Sequence, residues 1–507
     1  MAFVIQRFKS IPRQIEATLF KIRAFLAAII AIGLGSGLGY LLSGPQETVE
    51  LVISILVILI LMLIVLKKPL YGLLALILFV PLIETWIEIP MGAGIPDLSF
   101  SRFAIPFMAV FMLAQGAINK FRFQSISLVE VAILLTTIAM MSAAPLSANP
   151  SSSIQEVFTR NFSTMVMYFF ARNLVQNKRD LHMLLMTMVI LGFFSGAYAI
   201  YESSTGHILF LSKGRAGGHI RTEYNGGLQL LVGLLEGSPN FGRVLATTIP
   251  IAFYFLFEGK GVPRKVFLVV ALAVQFYALF LTYNRTSWYG LMISLTIIQF
   301  FYPQFRKIYI VLVLLGGLSL WATWDRYEGS AVEQRTNYKT DDFNGRTPRW
   351  EAGLNMWQAK PIRGWGFGRY EQESGRFRED GFRKNFEAIE NGFLDIMVNT
   401  GLIGLVPYLL FLILPLVSSI RLFFRARAPN WDGFIKPDTI TMYWCALIIL
   451  VFGSYTGVTN KTIVNMIPFA IAGAIVGTHQ HYLRPVKSAK RVVSHNLQAQ
   501  PTPRNAS

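Results

Sequence analysis

The chain has 507 residues, 53% hydrophobic and only 15% charged, with a formal charge of +18 and a mean hydropathy of +0.48. Soluble domains carry about 25% charged residues, so this composition excludes a soluble globular protein and points to the bilayer. The single cysteine, Cys445, excludes a disulfide framework, a cysteine-ligated metal cluster and a dithiol redox pair.

Apolar runs long enough to cross a hydrocarbon core recur along the chain. In order they fall at 24–42, 49–66, 70–89, 103–118, 126–143, 162–175, 181–201, 241–257, 266–283, 286–301, 308–324, 393–420, 439–458 and 463–482. The expected fold is an all-α polytopic membrane protein of about 12–14 transmembrane helices. Every second connection is short and basic, as at Lys67-Lys68, Lys178-Arg179, Arg264-Lys265, Arg306-Lys307 and 421–427, and both ends of the chain are basic too. The intervening connections are acidic or neutral. The positive-inside rule then predicts cytoplasmic termini and outer placement of 202–240 and 325–390.

The organisation read from this pattern is a basic cytoplasmic segment, 1–23, followed by transmembrane helices over 24–324 with an outer loop at 202–240. A large outer (periplasmic) loop, 325–390, precedes C-terminal transmembrane helices, 391–482, and a cytoplasmic tail, 483–507, whose polar composition reads as disordered. The net positive charge belongs to juxtamembrane lysines and arginines facing anionic lipid, so membrane lipids and not nucleic acid are the expected partners. Gly33, Gly35, Gly37 and Gly39 give overlapping GxxxG pairs that suit close helix packing.

Chemistry-bearing residues concentrate outside the spans. Arg285 opens a span at an outer turn, where the positive-inside bias makes an arginine unusual; an anion to hold there and simple snorkelling are the two readings. Arg215 and Arg221 lie among glycines in the first outer loop and suit bidentate clamping of a phosphate or diphosphate, or are ordinary loop charges. Arg346 and Arg349 in the main insert can play the same part. Glu390 and Asn391 stand where the insert re-enters the membrane. A partly desolvated carboxylate there can act as general base, with Asn391 orienting it or binding a sugar hydroxyl; equally, the pair can cap the helix that follows.

The insert is rich in Trp and Tyr, including Trp350, Trp357, Trp365 and Tyr370, whose faces suit either carbohydrate or the membrane interface. Gly364-Trp365-Gly366-Phe367-Gly368 lacks the flanking strand and helix of a dinucleotide loop and reads as a turn. Asp341-Asp342 without a histidine makes no convincing metal site; neither metal nor cofactor is expected.

With these residues assembled, the chain resembles the O-antigen ligase and O-antigen polymerase superfamily. The resemblance is carried by Asn284-Arg285-Thr286-Ser287, the earlier Ser238-Pro239-Asn240, Arg349-Trp350 leading to Pro361–Gly368, and Glu390-Asn391-Gly392-Phe393-Leu394 followed by Gly401-Leu402-Ile403-Gly404. It spans roughly residues 215–420. It implies a GT-C-like glycosyltransferase in the bacterial inner membrane, working at its outer face. The implied donor is a glycan on undecaprenyl diphosphate, and the implied acceptor another glycan or lipid-linked sugar.

By the resemblance, Arg285 and an earlier outer-loop arginine hold the diphosphate, while Glu390 stands where ligases of the family carry histidine. That departure favours a polymerase, or a ligase-like protein for another glycan. The competing expectations are a transporter or transport accessory protein, as in inorganic-carbon uptake, and a non-catalytic partner in envelope assembly. A transporter requires broken helices and ionisable groups at mid-membrane.

Overall fold

The computed structural model describes residues 60, 62–83, 88–89, 98–118, 121–208, 231, 234–235, 237–322, 341–379, 383–455 and 462–483. Outside them lie the first predicted span with its GxxxG pairs, most of the second, both basic end segments, Arg215 and Arg221, and the opening of the insert at 325–340.

The described chain is almost wholly helical, which is how a backbone satisfies itself inside lipid. The helices are α1 (Pro69–Ile83), α2 (Phe100–Ala117), α3 (Leu128–Ala143), α4 (Pro150–Glu156), α5 (Ser163–Leu174), α6 (Lys178–Thr205), α7 (Ser238–Glu258), α8 (Val262–Leu281), α9 (Arg285–Phe301), α10 (Pro303–Ala322), α11 (Asp341–Ala359), α12 (Arg369–Glu373), α13 (Gly392–Ala426), α14 (Pro437–Tyr455) and α15 (Thr462–Leu483). Seven of them, α2, α3, α6, α7, α8, α13 and α14, are long and apolar enough to cross a membrane, and α1 and α15 contain shorter apolar stretches. A π-helical turn, Val157–Phe162, joins α4 to α5.

One boundary differs from the sequence expectation. The span predicted to run to residue 89 is helical over Pro69–Ile83, and Glu88–Ile89 pairs antiparallel with Leu98–Ser99 instead. The sequence accounts for this: Glu84 and Glu88 put charge into the end of the apolar run.

Local chemistry sets the helix ends. Ser127 and Glu130 form a reciprocal capping box on α3, Asn177 caps α6 through Asp180 N, and left-handed Gly206 (φ 70°) stops α6. Packing relies on small residues. Gly473 and Gly477 of α15 lie against the Tyr168 and Arg172 carbonyls of α5, and Gly192 and Gly196 of α6 against Thr248 of α7 and Val274 and Ala278 of α8. Each pair has the four-residue spacing that lets membrane helices approach closely.

The hub is α7, whose apolar stretch is 89% buried against 39% for α2, α8 and α13. Its far end, Glu258, gathers Lys178, His182 and Lys436 at 2.9–3.2 Å, tying the starts of α6 and α14 together at the basic face.

The insert is fastened to α13 by an unusual device. Helix α13 breaks at Gly401 (φ 63°, ψ −160°), and a break strips partners from carbonyls before it and N–H groups after it. The strip 361–366 replaces them: Trp365 N and Gly366 N donate to the Val398 and Asn399 carbonyls at 2.8 and 2.9 Å. Leu402 N and Ile403 N donate to those of Pro361 and Ile362 at 2.9 and 3.2 Å. Phe367 O then accepts from Ala148 N, joining the strip to the turn after α3. A separate small core of Met356, Tyr370, Ile389 and Val398, flanked by Trp350, Trp357, Trp365 and Phe377, closes the insert over α13.

Candidate active site

Backbone strain marks the place first. Among the described residues the non-glycines with positive φ are Leu234 (23°), Tyr283 (49°) and Glu390 (55°). Each lies just ahead of a helix start, those of α7, α9 and α13. A left-handed non-glycine residue costs of order 1–3 kcal/mol, and such strain collects where a side chain must be aimed.

The helix starts are linked by contact. A Cβ added to Gly242 of α7 would lie 2.5 Å from Ser287 Oγ and 3.4 Å from Asn284 Cβ, so α7 and α9 begin side by side. Asn284 caps α9 by accepting from Ser287 N at 2.9 Å, leaving Arg285 as the first helical residue. One turn into α7, buried Arg243 donates to the Gly453 carbonyl of α14 at 2.6 Å. Two residues on, the Tyr455 ring sits 5.4 Å from that of Trp350 in α11.

Helix α11 then delivers Arg346 and Arg349 to Glu390. Arg346 Nε lies 3.0 Å from Glu390 Oε2, and Arg349 Nη1 2.6 Å from Oε1. The Tyr370 hydroxyl donates to the Arg349 carbonyl at 2.8 Å, and burial pushes that phenol's pKa up, so it stays a donor. Glu390 is 35% exposed. An ion pair that open to water is worth about 0–1 kcal/mol, which does not exceed the backbone strain at the same residue. The two arginines fix the direction in which the carboxylate points.

The cap belongs to Asn391: its Oδ1 accepts from Phe393 N and Leu394 N at 3.1 Å, while both Glu390 oxygens face arginine.

Two cavities meet at this junction, and Asn391 lines both. One, of about 520 Å³, is an apolar groove between α11 and α13 walled by Trp350, Leu354, Phe393, Leu394, Met397 and Tyr455. The other, of about 370 Å³, is the more polar of the two and lies under the insert, walled by Asn149, Ser152, Glu371, Glu390, Asp395 and Asn399 together with apolar Phe367 and Ile389.

The structure thus brings Glu390, Asn391, Arg346 and Arg349 together and sets Arg285 at the same end through α7, α14 and α11. Trp365 does not line either cavity; its indole donates to the Met356 carbonyl at 2.6 Å and lies under Lys360 Nζ at 3.7 Å, fastening the strip to α11. Arg215 and Arg221 lie outside the described residues. Sequence reading passed over Arg243, hidden in an apolar run, although its place three residues after Ser238-Pro239-Asn240 was a signal. It also passed over Asp395 and Asn399, which with Asn391 form a polar i, i+4, i+8 row on an otherwise apolar helix. Among the described residues no group of three His, Cys, Asp or Glu side chains is disposed to hold a metal ion.

Fold and cavities together define a polytopic α-helical membrane protein with a site at one end of its bundle, where a charged junction separates an apolar groove from a polar chamber. Residues 268–409 match the family model described as O-antigen ligase, so this stretch of the membrane protein is O-antigen ligase-like. The matched stretch includes Arg285, Arg346, Arg349, Glu390 and Asn391, and leaves Arg243 outside it. No curated protein matches the chain significantly.

Proposed function

We propose that the chain is a membrane glycosyltransferase that moves a glycan from undecaprenyl diphosphate to a sugar acceptor at the outer face of the inner membrane. The observation that carries this reading is the junction itself: a carboxylate, aimed by two arginines and a strained backbone, between a lipid-compatible groove and a polar chamber. The groove suits the polyprenyl chain, for which apolar burial is the source of affinity. Arg285 and Arg243, beside the adjoining starts of α7 and α9, suit the diphosphate, since helix N-termini and guanidiniums both favour anions.

In the reaction, an acceptor hydroxyl oxygen bonds to the anomeric carbon as the bond from that carbon to the diphosphate oxygen breaks. The diphosphate leaves with the electron pair, its growing charge offset by the arginines. The hydroxyl proton passes to Glu390, whose two arginines hold it in a fixed orientation.

The broken helix α13 does not favour transport. Its freed backbone groups are occupied by the chain's own strip and not left for an ion.

The test is the surface glycan of a deletion strain complemented with Arg285→Ala, with membrane levels of the protein checked. Loss of assembled glycan at normal protein levels is expected: accumulated single repeats identify a polymerase, and long carrier-linked chains that never reach an acceptor identify a ligase. Normal glycan overturns the reading.

A further inference from the structure

The strip that fills the break in α13 also presents a surface of its own. Its tip, from Gln358 to Arg363, is exposed at every residue, and Ile362 is 63% exposed although Gly364 and Gly366 just beyond it are buried. Backbone pairing holds the tip in place: the Ile362 carbonyl accepts from Ile403 N, and that of Pro361 from Leu402 N.

One exposed isoleucine is ordinary on a protein surface; what matters is where this one sits. From Leu402 and Ile403 an exposed apolar stripe runs along α13 through Val406, Leu410 and Ile413, at the spacing of one helix face. Because α13 is long and apolar enough to span a membrane, that stripe faces lipid. The helix ends in exposed Arg421 and Arg425. Between Leu402 and Arg421 it rises about 28 Å, close to the roughly 30 Å of a hydrocarbon core. With the arginines at one interface, Leu402 and the tip bonded to it fall at the other.

The tip has the make-up that this depth calls for. Ile362 is flanked by Lys360 and Arg363, whose long side chains can carry charge from an apolar level out to phosphates. Two partly buried indoles stand behind them: Trp357 Nε1 donates to the Pro361 carbonyl at 3.2 Å, and Trp365 lies under Lys360 Nζ at 3.7 Å. Indoles collect at headgroup level, and cations beside a membrane attract anionic lipid. Neither the tip's own segment, 352–370, nor α13 beyond Asp395 carries an acidic residue.

We propose that this tip docks an anionic phospholipid of the leaflet at the insert end, with Lys360 and Arg363 pairing with its phosphate and Ile362 entering the acyl layer beneath. The insert is then held to the membrane by the same strip that repairs α13.

The experiment uses the full chain in lipid nanodiscs, with a bimane label at Ile362→Cys and, for comparison, at Arg376→Cys, whose native side chain is 80% exposed. Cys445 is buried and stays unlabelled. Doxyl-labelled lipid is expected to quench the label at 362 and not at 376, and aqueous iodide the reverse. At equal mole fraction, doxyl-labelled phosphatidylglycerol should quench at 362 more than doxyl-labelled phosphatidylcholine. Arg363→Gln should lower that preference about fivefold at an unchanged thermal midpoint, and adding Lys360→Gln should abolish it.

Quenching at 362 by iodide and not by lipid overturns the assignment. So does equal quenching by the two lipids, or a phosphatidylglycerol preference that survives the double substitution.

Discussion

At Glu390 the chain accepts a left-handed backbone and spends two arginines on a carboxylate one-third open to solvent. If that carboxylate takes the acceptor's proton, Glu390→Gln should lower glycan transfer by about 100-fold or more, the usual contribution of a general base. The thermal midpoint should move little, because exposed ion pairs contribute about 0–1 kcal/mol. A purified Glu390→Gln protein with full transfer rate would exclude the base role. Asn391→Ala should behave differently: it removes the cap of α13 and costs about 1 kcal/mol of stability, read as a lowered thermal midpoint in detergent.

Much of this site was legible in the sequence. Glu390-Asn391 at a membrane boundary and arginines in an outer insert stood out because charge is scarce elsewhere in the chain. Which of the two adjacent residues caps the helix was not legible, since either side chain can reach the free N–H groups; only the arginine contacts decide it. Arg243 stayed hidden because its burial partner, the Gly453 carbonyl, lies 210 residues away.

At the scale of elements, the break in α13 and the strip that fills it form one unit. Gly401 carries φ 63°, and a Cβ there would collide with the Ile362 carbonyl. Gly366 carries φ 89°, and a Cβ there would come within 2.6 Å of the Leu146–Ser147 backbone. Gly401→Ala and Gly366→Ala should therefore each cost more than the roughly 1 kcal/mol of backbone preference alone. They should also loosen the insert, seen as faster hydrogen exchange at the Trp365 and Leu402 amides. Unchanged exchange at both amides would separate the strip from the helix break. The sequence marks 364–368 as a turn, and it is one, but its purpose depends on a helix break that hydropathy does not register: 393–420 reads as an unbroken apolar run.

For the molecule as a whole, hydropathy found the helical, membrane-spanning class because apolar length is a direct consequence of bilayer thickness. It overran at Glu88–Ile89, which pair antiparallel with Leu98–Ser99. The polarity of the bundle is open to a clean experiment because the one native cysteine is buried. Arg376→Cys, at an exposed position on the insert, should react with a membrane-impermeant maleimide on intact spheroplasts. Asn430→Cys, exposed at the opposite end of α13, should react only after the membrane is opened. Reversed labelling would put the candidate site on the cytoplasmic side and remove it from an outer-face reaction.

The most direct measurement is transfer by the purified chain in proteoliposomes supplied with an undecaprenyl-diphosphate-linked glycan and an acceptor sugar. The expected result is release of undecaprenyl diphosphate matched one-to-one by extended acceptor, abolished by Arg285→Ala and by Glu390→Gln. Carrier and acceptor left unchanged by the wild-type protein, or turnover indifferent to both substitutions, would contradict it.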